Sequence, residues 1–72
     1  PGYLEGKKDA PYRSEFDNAL RFAGRGCWRK GVHIWESLLT KDPEDPSIWR
    51  NLAVARGYMG DYRASADAWR KY

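Results

Sequence analysis

Seventy-two residues make one small domain at most, able to bury only about 60% of the surface its unfolded chain exposes. With 42% hydrophobic and 32% charged residues, the chain has the composition of a folded segment, and no apolar run approaches the roughly 20 residues of a membrane helix. A single Cys and a single His exclude an internal disulfide framework and an ordinary structural zinc site, and the net charge of +3 is mild.

Four Trp, five Tyr and two Phe are a heavy aromatic load for this length, so packing or binding through rings is expected. Residues 1–11 form a lead-in rich in breakers and charges, with Pro1, Gly2, Gly6, Lys7, Lys8, Asp9 and Pro11. Tyr3 and Leu4, with Tyr12 just beyond, are its anchors. From Ser14 the pattern turns helical: Phe16, Ala19, Leu20 and Ala23 fall on one helical face. Gly24 and Gly26 suit the end of that helix. A second helical run carries Trp28, Val32, Trp35, Leu38 and Leu39 and stops at Asp42-Pro43. Asp45-Pro46 opens a third helix, since Asp caps free amides and Pro suits the first helical position. Its stripe is Trp49, Leu52, Ala53 and Ala55, and Gly60 closes it. Asp61 caps a fourth helix holding Tyr62, Ala66, Ala68, Trp69 and Tyr72. The four residues Val32, Ile34, Ile48 and Val54 are all the Val and Ile present, and all sit in helical patterns, so no strand is expected.

Shifting the chain by 34 residues lays residues 12–38 on 46–72. Ala19 falls on Ala53, Gly26 on Gly60, Arg29 on Arg63 and Trp35 on Trp69. Leu20 falls on Val54, Ala23 on Gly57, Trp28 on Tyr62 and Gly31 on Ser65. Gly26 and Gly60 sit in turns. Gly31 and Ser65 lie one turn before the second Trp of each pair, where a small residue lets helices approach. All four Trp are expected to pack between helices, Trp35 and Trp69 most deeply.

In this period and these positions the chain resembles the tetratricopeptide repeat family. Its pattern is W-x2-L-G-x2-Y, then A-x3-F, then P, with a period of 34. Trp49, Leu52 and Ala53 match the opening in the second repeat, and Ala19 and Phe22 match G-x2-Y in the first. Gly31-x3-Trp35 and Ser65-x3-Trp69 stand for A-x3-F, Gly60-Asp61-Tyr62 looks like the family's turn, and Pro43 takes the Pro position. Glu15, Asn18 and Arg56 depart from it, and the first apolar stripe is rotated by one residue. The resemblance implies an all-α solenoid of two antiparallel helix-turn-helix repeats, residues 12–45 and 46–72, the second incomplete. With Pro1-Gly2 at one end and a truncated repeat at the other, a fragment of a longer protein is expected. The stripe of Ala64, Ala68 and Tyr72 would then be left open, prone to pairing or fraying unless the Tyr3-Leu4 lead-in folds back as a cap.

The resemblance also implies a function: first helices of successive repeats line a concave groove that grips a partner's peptide or helix. Carried onto this chain, the groove takes Arg13, Phe16, Asp17 and Leu20 from the first helix and Ser47, Arg50, Asn51, Val54 and Tyr58 from the third. Apolar contacts flanked by hydrogen-bond donors suit a peptide or an amphipathic helix. Arg50 and Asn51 resemble two positions of the clamp with which some family members hold a chaperone's C-terminal carboxylate, but Val54 stands where that clamp has Asn.

The expectation is thus a non-catalytic protein-interaction module, without cofactor or metal, whose partner is a protein or peptide. Self-association is the first alternative, and a weak polyanion interface on Arg21, Arg25, Arg29 and Lys30 the second; a solvated turn explains those charges more simply. His33 has no carboxylate or nucleophile at a telling spacing. Cys27 lies in a basic turn beside a helix start, which favours thiolate character, though a plain exposed thiol is the simpler reading. Asp42, Glu44 and Asp45 lack the Gly and closing Glu of a calcium loop and read as caps.

Overall fold

The structure is a computed structural model describing residues 2–72; Pro1, assigned above to the lead-in, lies outside them. Four helices follow the lead-in: α1 (Arg13–Gly24), α2 (Trp28–Leu38), α3 (Pro46–Tyr58) and α4 (Tyr62–Lys71). The fold is all-α, with no strand among the described residues. Helices of 10 to 13 residues are marginal alone, so packing decides whether they form. Each packs on the next in chain order, α1 on α2, α2 on α3 and α3 on α4.

Two glycines 34 positions apart end α1 and α3 in the same way. Gly26 and Gly60 take φ of 87° and 83°, a left-handed backbone that costs residues with a Cβ. Cys27 N donates to Phe22 O and Asp61 N to Arg56 O, both at 2.9 Å. Gly26 N donates to Ala23 O and Gly60 N to Gly57 O, both at 3.0 Å. These paired bonds are the Schellman closure, which satisfies otherwise orphaned carbonyls and turns the chain back. The expected turns at residues 24–27 and 60–61 are therefore present.

Beyond each turn the small residue does what the spacing anticipates. Gly31 lies so near α1 that a Cβ would stand 3.0 Å from Ala19 O and 3.2 Å from Ala23 Cβ. Its counterpart Ser65 packs on α3 and donates its hydroxyl to Ala53 O at 2.7 Å. The turn between α2 and α3 ends at Asp45, whose buried carboxylate accepts from Ser47 N at 2.9 Å and from the Ser47 hydroxyl at 2.6 Å. Pro46 fills the first helical position. Tyr12 reaches across from the start of α1 and donates to Asp45 at 2.6 Å, with Asp42 at 2.9 Å. That tie fixes α1 against the α3 N-terminus.

Phe16, Trp35, Leu38, Ile48 and Leu52 are fully buried and form the centre of the core. The stripe expected on α1 is present, with Phe16, Ala19 and Ala23 buried and Leu20 half-buried. The expectation of four packed Trp needs correction. Only Trp35 is fully enclosed; Trp28 and Trp49 are half-buried, and Trp69 is 43% exposed. Sequence symmetry equates Trp35 with Trp69, but their surroundings differ. Trp35 has Phe16 of α1 at 5.8 Å and Tyr3 of the lead-in at 5.7 Å between ring centroids. Trp69 has the surface side chains of Tyr72 at 5.9 Å and Arg50 at 5.3 Å, and solvent beyond. Likewise Ile48 rather than Trp49 heads the buried stripe of α3, and on α4 only Ser65 and Ala68 are buried. No described helix is long and apolar enough to cross a membrane.

Candidate binding groove

The lead-in does not trail into solvent. Residues 2–7 adopt neither helix nor strand and lie between α1 and α3. Asn51, fully buried on α3, holds them by the main chain: its Oδ1 accepts from Leu4 N at 2.7 Å and its Nδ2 donates to Leu4 O at 2.9 Å. One amide side chain thus satisfies both backbone groups of one residue, as a neighbouring β-strand would. From the preceding position on α3, Arg50 Nε donates to Gly2 O at 2.9 Å. The Arg50 guanidinium is itself held over the rings of Trp69 and Tyr72, at 5.3 and 5.5 Å from their centroids.

Side chains of the lead-in fill the space beneath. The Tyr3 ring lies on Trp35, tilted by 37°. Its hydroxyl is buried without a hydrogen-bond partner. Burial, and then the charge that Tyr58 would carry nearby, hold the Tyr3 phenol above its ordinary pKa. Gly6 sits directly on the Phe16 ring: a Cβ there would meet Cδ1 at 2.8 Å, Cγ at 3.0 Å and Cε1 at 3.2 Å. Gly2 packs near Val54 with φ of 93°. At the far end Lys7 Nζ donates to Asp42 Oδ2 at 3.1 Å. That bond, followed by the one from Tyr12, holds the Asp42 carboxyl below its usual range, and the same contact raises the Lys7 ammonium.

The residues expected to line the groove separate into two sets. Phe16, Arg50, Asn51 and Val54 converge on residues 2–6. Arg13 stands at the rim, bonded to Asp17 at 3.1 Å and 4.0 Å from Glu5, so Asp17 orients Arg13. Leu20 is half-buried against the core. Ser47 is turned inward to the Asp45 cap, and Tyr58 stacks on Trp28 at 5.2 Å. Sequence reasoning did not find Trp35 as the floor or the lead-in as the occupant. The one available signal was the Tyr3-Leu4 pair standing between glycines in an otherwise charged segment.

A second surface lies elsewhere on α1 and α2, where Phe22, Arg29, Lys30, His33 and Ile34 line an open cavity of about 610 Å³ and Lys30 lies over the Phe22 ring. Arg25, Arg29 and Lys30 are exposed there and in the adjoining turn. Arg21, placed in the same expected basic cluster, is bonded to Asn18. No family model, curated protein or solved structure matches the chain.

Proposed function

We propose that the chain is a non-catalytic protein-interaction module of tetratricopeptide-like design, whose α1/α3 groove binds a non-helical polypeptide segment. The observation that carries this is the Asn51 side chain bonded to both the N–H and the C=O of Leu4. Such a contact recognises peptide backbone as such, and the apolar ring floor and Arg50 add position along the segment. The repeat design is supported by the matched Schellman turns at Gly26 and Gly60 and by the small residues Gly31 and Ser65 packed at equivalent places.

The test is selection of a random peptide library on the immobilised chain carrying Gly6→Ala, in which a Cβ against the Phe16 ring loosens the lead-in, with binders mapped by amide chemical shifts. The proposal expects shifts at Phe16, Arg50, Asn51 and Val54. Binders that map to Phe22, Lys30 and Ile34 instead, or a library that yields none, refute it. Self-association is a second reading, favoured by the exposed rings of Tyr62, Trp69 and Tyr72. Sedimentation over a wide concentration range separates it, since a mass that stays monomeric removes it.

A further inference from the structure

The groove's occupant is also a description of its ligand. Every point of contact with residues 2–6 restricts what a segment from elsewhere must look like to lie in the same place. At the position of Gly6 no side chain fits, because Phe16 is fully buried and its ring has no free space to swing into. At the position of Leu4 the backbone N–H is used by Asn51, so proline is excluded. At the position of Tyr3 an aromatic ring lies on Trp35, but its hydroxyl is buried with no partner, so Phe suits the place better than Tyr. At the position of Gly2 the backbone is left-handed, which favours glycine, and its carbonyl meets Arg50. The Glu5 side chain is exposed and its position is open to most residues.

We propose that residues 2–6 are an internal copy of the ligand. The α1/α3 groove takes, from another protein, a segment of the pattern Gly–aromatic–aliphatic–any–Gly, and the lead-in must leave the groove before that segment binds. This rests on the reading of the groove as a peptide site and specifies its ligand and its control.

Five residues link Gly6 to the anchored Tyr12, which keeps the lead-in close to its site when it detaches. A short tether of this kind gives an effective concentration on the order of mM. A free peptide with the same contacts therefore half-displaces the lead-in only at about mM concentration, however tightly the empty groove would bind it. Weakening the lead-in without touching the groove should uncover the intrinsic affinity. Gly6→Ala does this, since its Cβ would overlap the Phe16 ring while the groove's own residues remain unchanged.

The experiment uses the full chain, as wild type and as Gly6→Ala, with the peptide Gly-Tyr-Leu-Glu-Gly-Lys labelled on its lysine and read by fluorescence anisotropy. The expected result is binding at least about tenfold tighter to Gly6→Ala than to wild type. The same peptide with Ala in place of its second Gly should bind neither chain, and the Tyr-to-Phe peptide should bind Gly6→Ala at least about fivefold tighter than the parent. Equal affinity for the two chains overturns the proposal. Should circular dichroism show Gly6→Ala unfolded, wild type titrated with unlabelled peptide to several mM decides, where a few mM is the tether's own scale. Leu4 and Gly6 amides should then move toward free-chain positions while the Asn51 side-chain amide stays in its bound position. Unmoved Leu4 and Gly6 amides overturn the proposal, as does a wild-type chain that dimerises by exchanging lead-ins. Groove binders from the library with an unrelated pattern overturn this ligand but leave the peptide-binding reading intact, whereas absence of any groove binder removes both.

Discussion

Replacing Asn51 by Leu keeps the number and branching of side-chain heavy atoms on α3 and deletes both bonds to Leu4. A net 0.5–1.5 kcal/mol is typical for one such bond, so the pair is worth about 1–3 kcal/mol while the lead-in stays docked. Docked, it would also leave the Leu4 N–H and C=O facing a methyl group, a further penalty of about 1–3 kcal/mol for each that water cannot reach. Undocking avoids that penalty by giving Leu4 back to solvent, and loses instead the contacts of Tyr3 with Trp35 and of Gly6 with Phe16. The cheaper of the two outcomes sets the measured cost. We therefore expect a loss of about 2 kcal/mol together with release of residues 2–7, and not global unfolding. In a domain this small, about 2 kcal/mol lowers Tm by roughly 8–16 °C. Calorimetry gives the first quantity and amide exchange the second. A Leu4 amide as protected in Asn51→Leu as in wild type, with Tm unmoved, would refute the argument that this side chain holds the lead-in.

Trp35→Ala removes the ring enclosed between Tyr3 and Phe16 and should cost about 3–5 kcal/mol, visible as a lost or broadened thermal transition, whereas Trp69→Ala at its exposed site should cost far less. Gly31→Val should destabilise strongly, because its Cβ meets the Ala19 carbonyl at 3.0 Å, while the equivalent Ser65→Ala should lose only about 1 kcal/mol for one hydroxyl bond, both read by urea melts. Burial first, and then the bonds to Asp45 and Asp42, raise the Tyr12 phenol above its ordinary value of 10.0, so its stabilisation is fully present below pH about 10 and is lost as pH climbs beyond; Tyr12→Phe should flatten that alkaline limb of the stability curve. Asp42, held below its ordinary 3.8 by Lys7 and then Tyr12, contributes stability above that value that is lost as pH falls through its lowered pKa, so Lys7→Ala should shrink the acid limb.

Helices and turns were legible in the sequence because their signals are local. Asp45-Pro46, Asp61, Gly26 and Gly60 act within one turn of chain, and each does in the structure what its chemistry anticipates. The 34-residue offset carried further, to the equivalent packing of Gly31 and Ser65. It failed at Trp69 for a physical reason: a repeat encodes what a residue meets within its own helix pair. What it meets from outside the pair is set by other segments. Trp35 is covered by Tyr3, from a part of the chain with no counterpart in the second pair.

The same distinction explains the groove. Phe16 and Arg50 are 34 positions apart, and each holds one glycine of the lead-in, Gly6 and Gly2 respectively. Between them Asn51 holds the backbone of Leu4, while its counterpart Asp17 is bonded to Arg13 instead. Positions 34 apart thus stand beside one channel, and their difference, ring against guanidinium and carboxylate against amide, makes its two ends unlike. A Gly–aromatic–aliphatic–any–Gly segment laid in the groove reversed would still set a glycine on Phe16, but would carry its ring to the exposed place of Glu5 and leave Trp35 without one. Asn51 alone, bonding one N–H and one C=O, would accept a backbone in more than one place along its length. Phe16 removes that freedom by admitting only glycine at one point, and Trp35 by seating a ring at another. Under the proposed peptide-binding reading, a segment's glycine and ring are therefore placed by Phe16 on α1 and Trp35 on α2, while its backbone is held by Asn51 and Arg50 on α3.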